Sequence, residues 1–183
     1  MTKIGIIAGG GKLPILIGEN LINSGQSVVF FCIEPYAKKI DYKKFVCFFI
    51  KLELISKILS LLKSHEIKKI IMAGNVKRPS LKDIKFDYKT LKFIKEYALQ
   101  PKGDDKLLLS IVEFFEKEGF NFIEWKDECN DLFIKEDNLS NKKPNKISLK
   151  NLKKGLEIFK ILGKIDLSQS IIVQNNIVLG IEA

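Results

Sequence analysis

The sequence predicts an α/β fold built on a mainly parallel, Rossmann-like sheet, on three observations. Short apolar runs alternate with stretches of helical spacing over the first 134 residues. Those runs are continuous rather than alternating apolar with polar, as strands covered on both faces are. The first run passes through three consecutive glycines directly into a helical pattern. The order strand, helix, strand, strand, helix, strand requires crossovers of the kind that join parallel strands.

Lys3–Ala8 (KIGIIA) is the first strand, and Gly9-Gly10-Gly11 is the turn after it. A helix runs from Pro14 through Asn23; proline is tolerated at a helix start because its missing N–H would be unpaired there. Val28–Ile33 and Phe45–Ile50 read as fully buried strands. Leu52, Ile55, Leu59 and Leu62 repeat at helical spacing and define a helix over Leu52–Ser64. His65, the single histidine, falls just past its last turn and reads as a helix-end cap rather than a catalytic base. Lys68–Ala73 is the fourth strand, Lys82–Asp87 a polar connector and Tyr88–Ala98 a helix. Leu108, Ile111, Val112 and Phe115 share one helical face, with Asp104 or Asp105 at its N-cap and Gly119 as its stop. Phe120–Glu124 reads as a fifth strand.

From Lys126 to Lys146 the periodicity dissolves, and Asn138–Lys146 (NLSNKKPNK) is polar and broken by Pro144. These features predict a first domain over 1–134, a linker over 135–147 and the beginning of a second domain over 148–183. In that last part Leu149, Leu152, Leu156 and Phe159 mark a helix capped by Ser148, with Gly163 near its end. Ser170–Gln174 and Ile177–Glu182 flank Asn175-Asn176, a two-residue hairpin turn. One helix and one hairpin make little core, so this domain is expected to be incomplete. Its apolar surface would seek a partner, and a homodimer is one way to supply it.

Composition narrows the function classes. At 183 residues and 46% hydrophobic, the chain can bury a real core. No apolar stretch is long enough to span a bilayer, and no signal peptide is visible. Cys32, Cys47 and Cys129 lack metal spacing, and Cys32 and Cys47 lie in apolar runs, as buried thiols of a reducing cytosol do. The net charge of +9 suggests nucleic acid, but the lysines are spread over nearly every polar face. There is no arginine-rich segment or RNA-binding aromatic motif, so no nucleic-acid partner is expected. The lysines are either plain solvated surface or a diffuse field favouring an anionic membrane or acidic substrate.

The glycine run is the first candidate site. Glycine lets backbone approach a phosphate closely, and the helix that follows points N–H groups and its positive dipole end at the same place. Lys12 is followed by Leu13, not Ser or Thr, so this is not a P-loop. Pro14 stands where a dinucleotide fingerprint needs its third glycine. A tight first turn without ligand is the competing reading. Arg78 is the only arginine among 31 basic residues. It sits in GNVKRP, after the fourth strand, where open α/β sheets bind ligands, and it offers a planar two-pronged donor. Asn75 either hydrogen-bonds a polar ligand or takes a left-handed turn position. Asp104-Asp105 binds Mg²⁺ or ligand hydroxyls, or simply caps a helix. Asp127, Glu128 and Asp131 beside Trp125 read as solvated surface. Zinc-ligand spacing and a Ser/His/Asp arrangement are both lacking.

In order along the chain come IGIIAGGGKLP, MAGNVKRP, KGDDKLL and QSIIVQNNIVLGIEA. Together they resemble the LpxI-type UDP-2,3-diacylglucosamine pyrophosphatases of bacterial lipid A synthesis. The resemblance implies two α/β domains with substrate between them, and Mg²⁺-dependent hydrolysis of UDP-2,3-diacylglucosamine to UMP and lipid X. It implies a cytoplasmic protein in peripheral contact with the inner membrane. It places Gly9, Gly10, Gly11, Lys12, Asn75, Arg78, Asp104 and Asp105 on the substrate-binding side of the first domain. In the family the terminal GIEA is continued by an EGTD-like segment and an acidic residue thought to be catalytic. No catalytic residue or metal ligand is therefore assigned here, and little activity is expected of these 183 residues alone. A non-catalytic nucleotide or nucleotide-sugar binding module is the alternative. A dinucleotide oxidoreductase using Glu34 on the ribose is a weaker one.

Overall fold

The computed structural model describes residues 3–77, 87–95, 104–134, 140–164 and 170–182, the side chains of 104–107 excepted. The chain divides into two compact units, Met1–Ile134 and Lys135–Ala183. The first is an α/β fold. Its elements run β1 (Lys3–Ala8), α1 (Leu13–Asn23), β2 (Ser27–Ile33), β3 (Cys47–Ile50), α2 (Ile55–Ser64), β4 (Lys69–Ala73), α3 (Tyr88–Phe93), α4 (Asp104–Lys117), β5 (Asn121–Phe122) and α5 (Trp125–Glu128). Short 3₁₀ turns at Lys39–Tyr42 and Asn130–Leu132 complete it. The strands form one sheet in the order β3-β2-β1-β4-β5, and every pair is parallel.

Alternate residues of each strand feed two separate cores, as the period of two demands. On one face Ile7, Phe31 and Ile70 pack with Ile58, Leu59 and Leu62 of α2, Phe93 of α3 and Phe114 and Phe115 of α4. On the other, Ile4, Ile6, Phe30 and Ile71 pack with Ile17 and Leu21 of α1, Tyr42 and Cys129. β1 and β2 are buried along nearly their whole length, which is why their sequences lack alternation.

Where the sheet ends, the sequence expectations shift. β3 is an edge strand: only Ile50 is buried, Cys47, Phe48 and Phe49 are half-buried, and Val46 lies outside the strand and is exposed. A continuous apolar run cannot distinguish an edge strand, whose aromatic faces are half covered, from a central one. The Cys47 thiol is accordingly half-buried, whereas Cys32 is fully enclosed and burial pushes it up to about 12. β5 is two residues long, shorter than Phe120–Glu124. The buried face of α4 is centred on Ser110, Phe114 and Phe115, and Leu108 is 50% exposed.

The loop before α2 explains another shift. Leu52 and Glu53 turn before the helix, which starts at Ile55. One carboxylate serves two helices here. Asp87 Oδ1 accepts from the Thr90 N–H at the start of α3 at 2.8 Å, and Oδ2 accepts from the Ser56 N–H at the start of α2 at 2.7 Å. The buried Thr90 hydroxyl donates to the Glu53 carbonyl at 2.9 Å and accepts from the Ile55 N–H at 3.1 Å. The orphan donors of two helix starts are thus satisfied by one pair of residues.

In the second unit α6 (Lys146–Lys164) packs on the antiparallel hairpin β6 (Ser170–Gln174) and β7 (Ile177–Glu182). Both Asn175 and Asn176 take positive φ, 49° and 64°, as the two-residue turn requires. Asn145, not Ser148, caps α6: its Oδ1 accepts from the Ser148 N–H at 2.8 Å and hydroxyl at 3.0 Å. The helix therefore begins two residues inside the expected 135–147 linker. Gly155 is the buried contact with the sheet, where an added methyl would lie 3.3 Å from Val173 Cγ2. Leu149, Leu152 and Leu156 stay 50–57% exposed, because one helix on two strands covers only one side of itself.

The shared cap makes a prediction. Asp87→Ala should cost about 2 kcal/mol in urea unfolding at neutral pH. Burial raises the Asp87 carboxyl, and the hydrogen bonds from Thr90 and Ser56 outweigh it and leave it below the usual value. Its stabilisation is therefore full above the ordinary aspartate range, near pH 4, and is lost as pH falls through the lowered value. The alanine variant should show less acid sensitivity in that window. An unchanged midpoint would remove the shared cap as a source of stability.

Candidate functional site

Strand order reverses between β1 and β4, and in open α/β sheets ligands bind at the carboxyl ends of the strands flanking such a switch. The β1 and β4 loops meet here. Pairing continues beyond the strands: the Gly9 N–H donates to the Ala73 carbonyl at 2.8 Å. Gly10 and Asn75 then exchange hydrogen bonds of 2.8 and 3.0 Å as an antiparallel bridge. Such closeness excludes side chains. A Cβ on Gly9 would lie 2.7 Å from the Asn75 carbonyl oxygen, and one on Gly74 (φ 92°) 2.7 Å from that of Gly10.

Gly11 differs from its neighbours. It takes φ 90°, and an added Cβ would meet nothing within 4 Å. Its backbone faces open space at the mouth of α1. That helix has no side-chain cap and no acidic residue in its first turn. Lys12 occupies the N-cap position, and its carbonyl accepts from the Ile15 and Leu16 N–H groups, both at 3.1 Å. Pro14 brings no N–H. An uncapped helix start with an adjacent ammonium is chemistry for an anion.

The β2 loop closes the group from the other side. Tyr36 donates its hydroxyl to the Lys77 carbonyl at 3.1 Å. Its own carbonyl lies 3.3 Å from where a Gly10 Cβ would stand. Glu34 directly follows β2, with its N–H tied to the Ile50 carbonyl at 2.9 Å.

The structure thus brings Gly9, Gly10, Gly11, Lys12 and Asn75 together at one edge. Asn75 is exposed and acts through its backbone; the left-handed residue is Gly74, so the turn reading of Asn75 is corrected. Asp104 and Asp105 open α4 from within its first turn rather than from the N-cap. α4 leads into the amino end of β5, so its own start lies at the carboxyl edge of the sheet. Arg78 and the rest of 78–86 lie outside the described residues. His65 caps α2 with its ring 4.4 Å from that of Phe48, remote from this edge. Tyr36 and Gly74 were not singled out from sequence; Gly74 beside Asn75 was the available signal, and Tyr36 offered none.

Among the described residues no group of three His, Cys, Asp or Glu is placed to hold a metal ion. The loop presents N–H donors and an ammonium, a set that does not fit a cation. No described helix is long and apolar enough to cross a membrane.

A parallel sheet with this strand order and a glycine turn at its switch point defines a Rossmann-like α/β unit. Residues 3–132 match the LpxI N-terminal domain and residues 135–183 the LpxI C-terminal domain, so the chain belongs to the LpxI family. A curated relative, the UDP-2,3-diacylglucosamine pyrophosphatase LpxI of Caulobacter vibrioides, is 26% identical over 184 residues. That match covers 100% of this chain and 65% of the relative.

Two alanine substitutions separate conformation from space. Gly11→Ala should cost about 1–2 kcal/mol, the penalty of a left-handed alanine. Gly74→Ala should cost more, since overpacking adds roughly 1–3 kcal/mol. Equal losses in urea unfolding would contradict the close approach of the two loops.

Proposed function

We propose that this chain binds UDP-2,3-diacylglucosamine at the carboxyl edge of the first unit, as a lipid A pathway hydrolase that yields UMP and lipid X. The observation that carries the reading is the glycine turn and uncapped α1 start at the switch point, in a chain that belongs to the LpxI family. A diphosphate concentrates negative charge on closely spaced oxygens. Backbone donors near Gly11 and the Lys12 ammonium would take one part of that charge. The Arg78 guanidinium would take another with two parallel hydrogen bonds. Held in this way, the phosphorus accepts a water more readily, because the donors also meet the charge that develops on the leaving oxygen.

Asp104 and Asp105 are proposed to face the same ligand. Mg²⁺ would supply further charge neutralisation there. The substrate's lipid portion would keep the protein at the cytoplasmic face of the inner membrane, where surface lysines favour anionic headgroups.

Calorimetric titration with UDP tests the binding, and UMP release from UDP-2,3-diacylglucosamine with and without Mg²⁺ tests the chemistry. UDP binding with Mg²⁺-dependent UMP release is the expected result for the hydrolase. Binding without release would support the nucleotide-sugar binding module instead. Arg78→Lys should weaken UDP binding about tenfold, because the charge remains while the paired donors are lost. A folded parent chain that does not bind UDP would overturn the proposal.

A further inference from the structure

We infer that Tyr36 is a positioning residue for the anion-facing turn; this rests on the binding role proposed above for that edge. Three loops converge there, and the strands alone fix only two of them. The β1 and β4 loops are joined by the Gly10–Asn75 bridge. The β2 loop is joined to both through one residue. Tyr36 sets its carbonyl against Gly10, 3.3 Å from the place of a Cβ, and reaches across with its hydroxyl to the Lys77 carbonyl at 3.1 Å.

The residue is itself anchored. Its N–H donates to the Ile33 carbonyl at 2.9 Å, and its side chain packs, partly buried, against the core that contains Ile33 and Ile50. A rigid aromatic body with a polar tip transmits that anchorage to the exposed β4 loop, where Asn75, Val76 and Lys77 have little packing of their own. The Lys77 carbonyl also immediately precedes Arg78 in the chain. Removing the hydroxyl alone should therefore loosen the β4 loop and, through the bridge, the glycine turn. Tyr36 would touch no ligand in this role.

Tyr36→Phe removes that hydrogen bond and little else. Tyr42→Phe is the matched control: the Tyr42 hydroxyl is buried with no hydrogen-bond partner among the described residues, and it lies in the other core. Two measurements on the full chain decide the matter. Amide exchange at Asn75 should quicken about three- to tenfold in Tyr36→Phe, the range expected for one ordinary hydrogen bond, with the global unfolding midpoint unchanged. UDP affinity should fall by a similar factor in Tyr36→Phe and stay at the parent value in Tyr42→Phe. Unchanged Asn75 exchange would overturn the bracing role. Faster exchange with unchanged affinity in a parent that binds UDP would overturn the positioning role while leaving the binding proposal intact. A parent that does not bind UDP would overturn both.

Discussion

The pairing of β1 with β4 continues past the last residue of both strands, and the geometry of the ligand edge depends on that continuation. Loops after neighbouring parallel strands ordinarily diverge, because each must reach its own helix. Here Gly9, Gly10, Gly74 and Asn75 stay within main-chain hydrogen-bonding distance for one further step. Side chains at Gly9 and Gly74 would forbid it, each meeting the opposite backbone at 2.7 Å. The glycines are thus accounted for individually. Gly9 and Gly74 admit a neighbouring loop, Gly10 accommodates Tyr36, and at Gly11 alone of these four an added Cβ would meet nothing within 4 Å.

The rest of the first unit makes that edge rigid from below. Two cores grip the central strands, and buried large side chains of the Phe30, Phe31 and Ile70 kind each contribute about 1.5–3 kcal/mol. Helix starts gather at the same edge as the strand ends, so their unpaired N–H groups need partners. At α2 and α3 the protein supplies them with Asp87 and Thr90. At α1 it supplies no side chain. One helix start is closed by the chain's own carboxylate, and the start of α1 has no such side-chain partner. The buried Cys32 thiol and Tyr42 hydroxyl, both pushed up to about 12 chiefly by burial, stay protonated at neutral pH. They serve packing, not chemistry.

Much of this was legible in the residues. Continuous apolar runs placed β1, β2 and β4, the three inner strands of the sheet, because strands covered on both faces need no alternation. The Asn175-Asn176 turn was legible because two adjacent positive φ values leave few residue choices. What failed was whatever tertiary neighbours decide. Val46 and Phe48 read as core because sequence does not show which strand lies at a sheet edge. Leu108 fell on the wrong side of α4 because Ser110, a polar residue, takes a buried place that periodicity assigns to apolar ones. Ser148 lost its capping role to Asn145, three residues earlier, since both are good caps and only geometry chooses between them. At the candidate site the glycines, Lys12 and Asn75 were visible, but the left-handed position that was one reading of Asn75 belongs to Gly74, and the Asn75 backbone makes the bridge.

Tyr36 was invisible for a related reason. Its role lies in the distance between a loop after β2 and a loop after β4, forty-one residues apart in the chain, and no local motif records such a distance. A turn that presents its backbone has no side-chain signature of its own. Its shape must be enforced by residues that touch the loop from outside, and those can be of any type that reaches. Changes in ligand affinity from substitutions at this edge are therefore to be sought beneath and beside the glycine turn as much as in it.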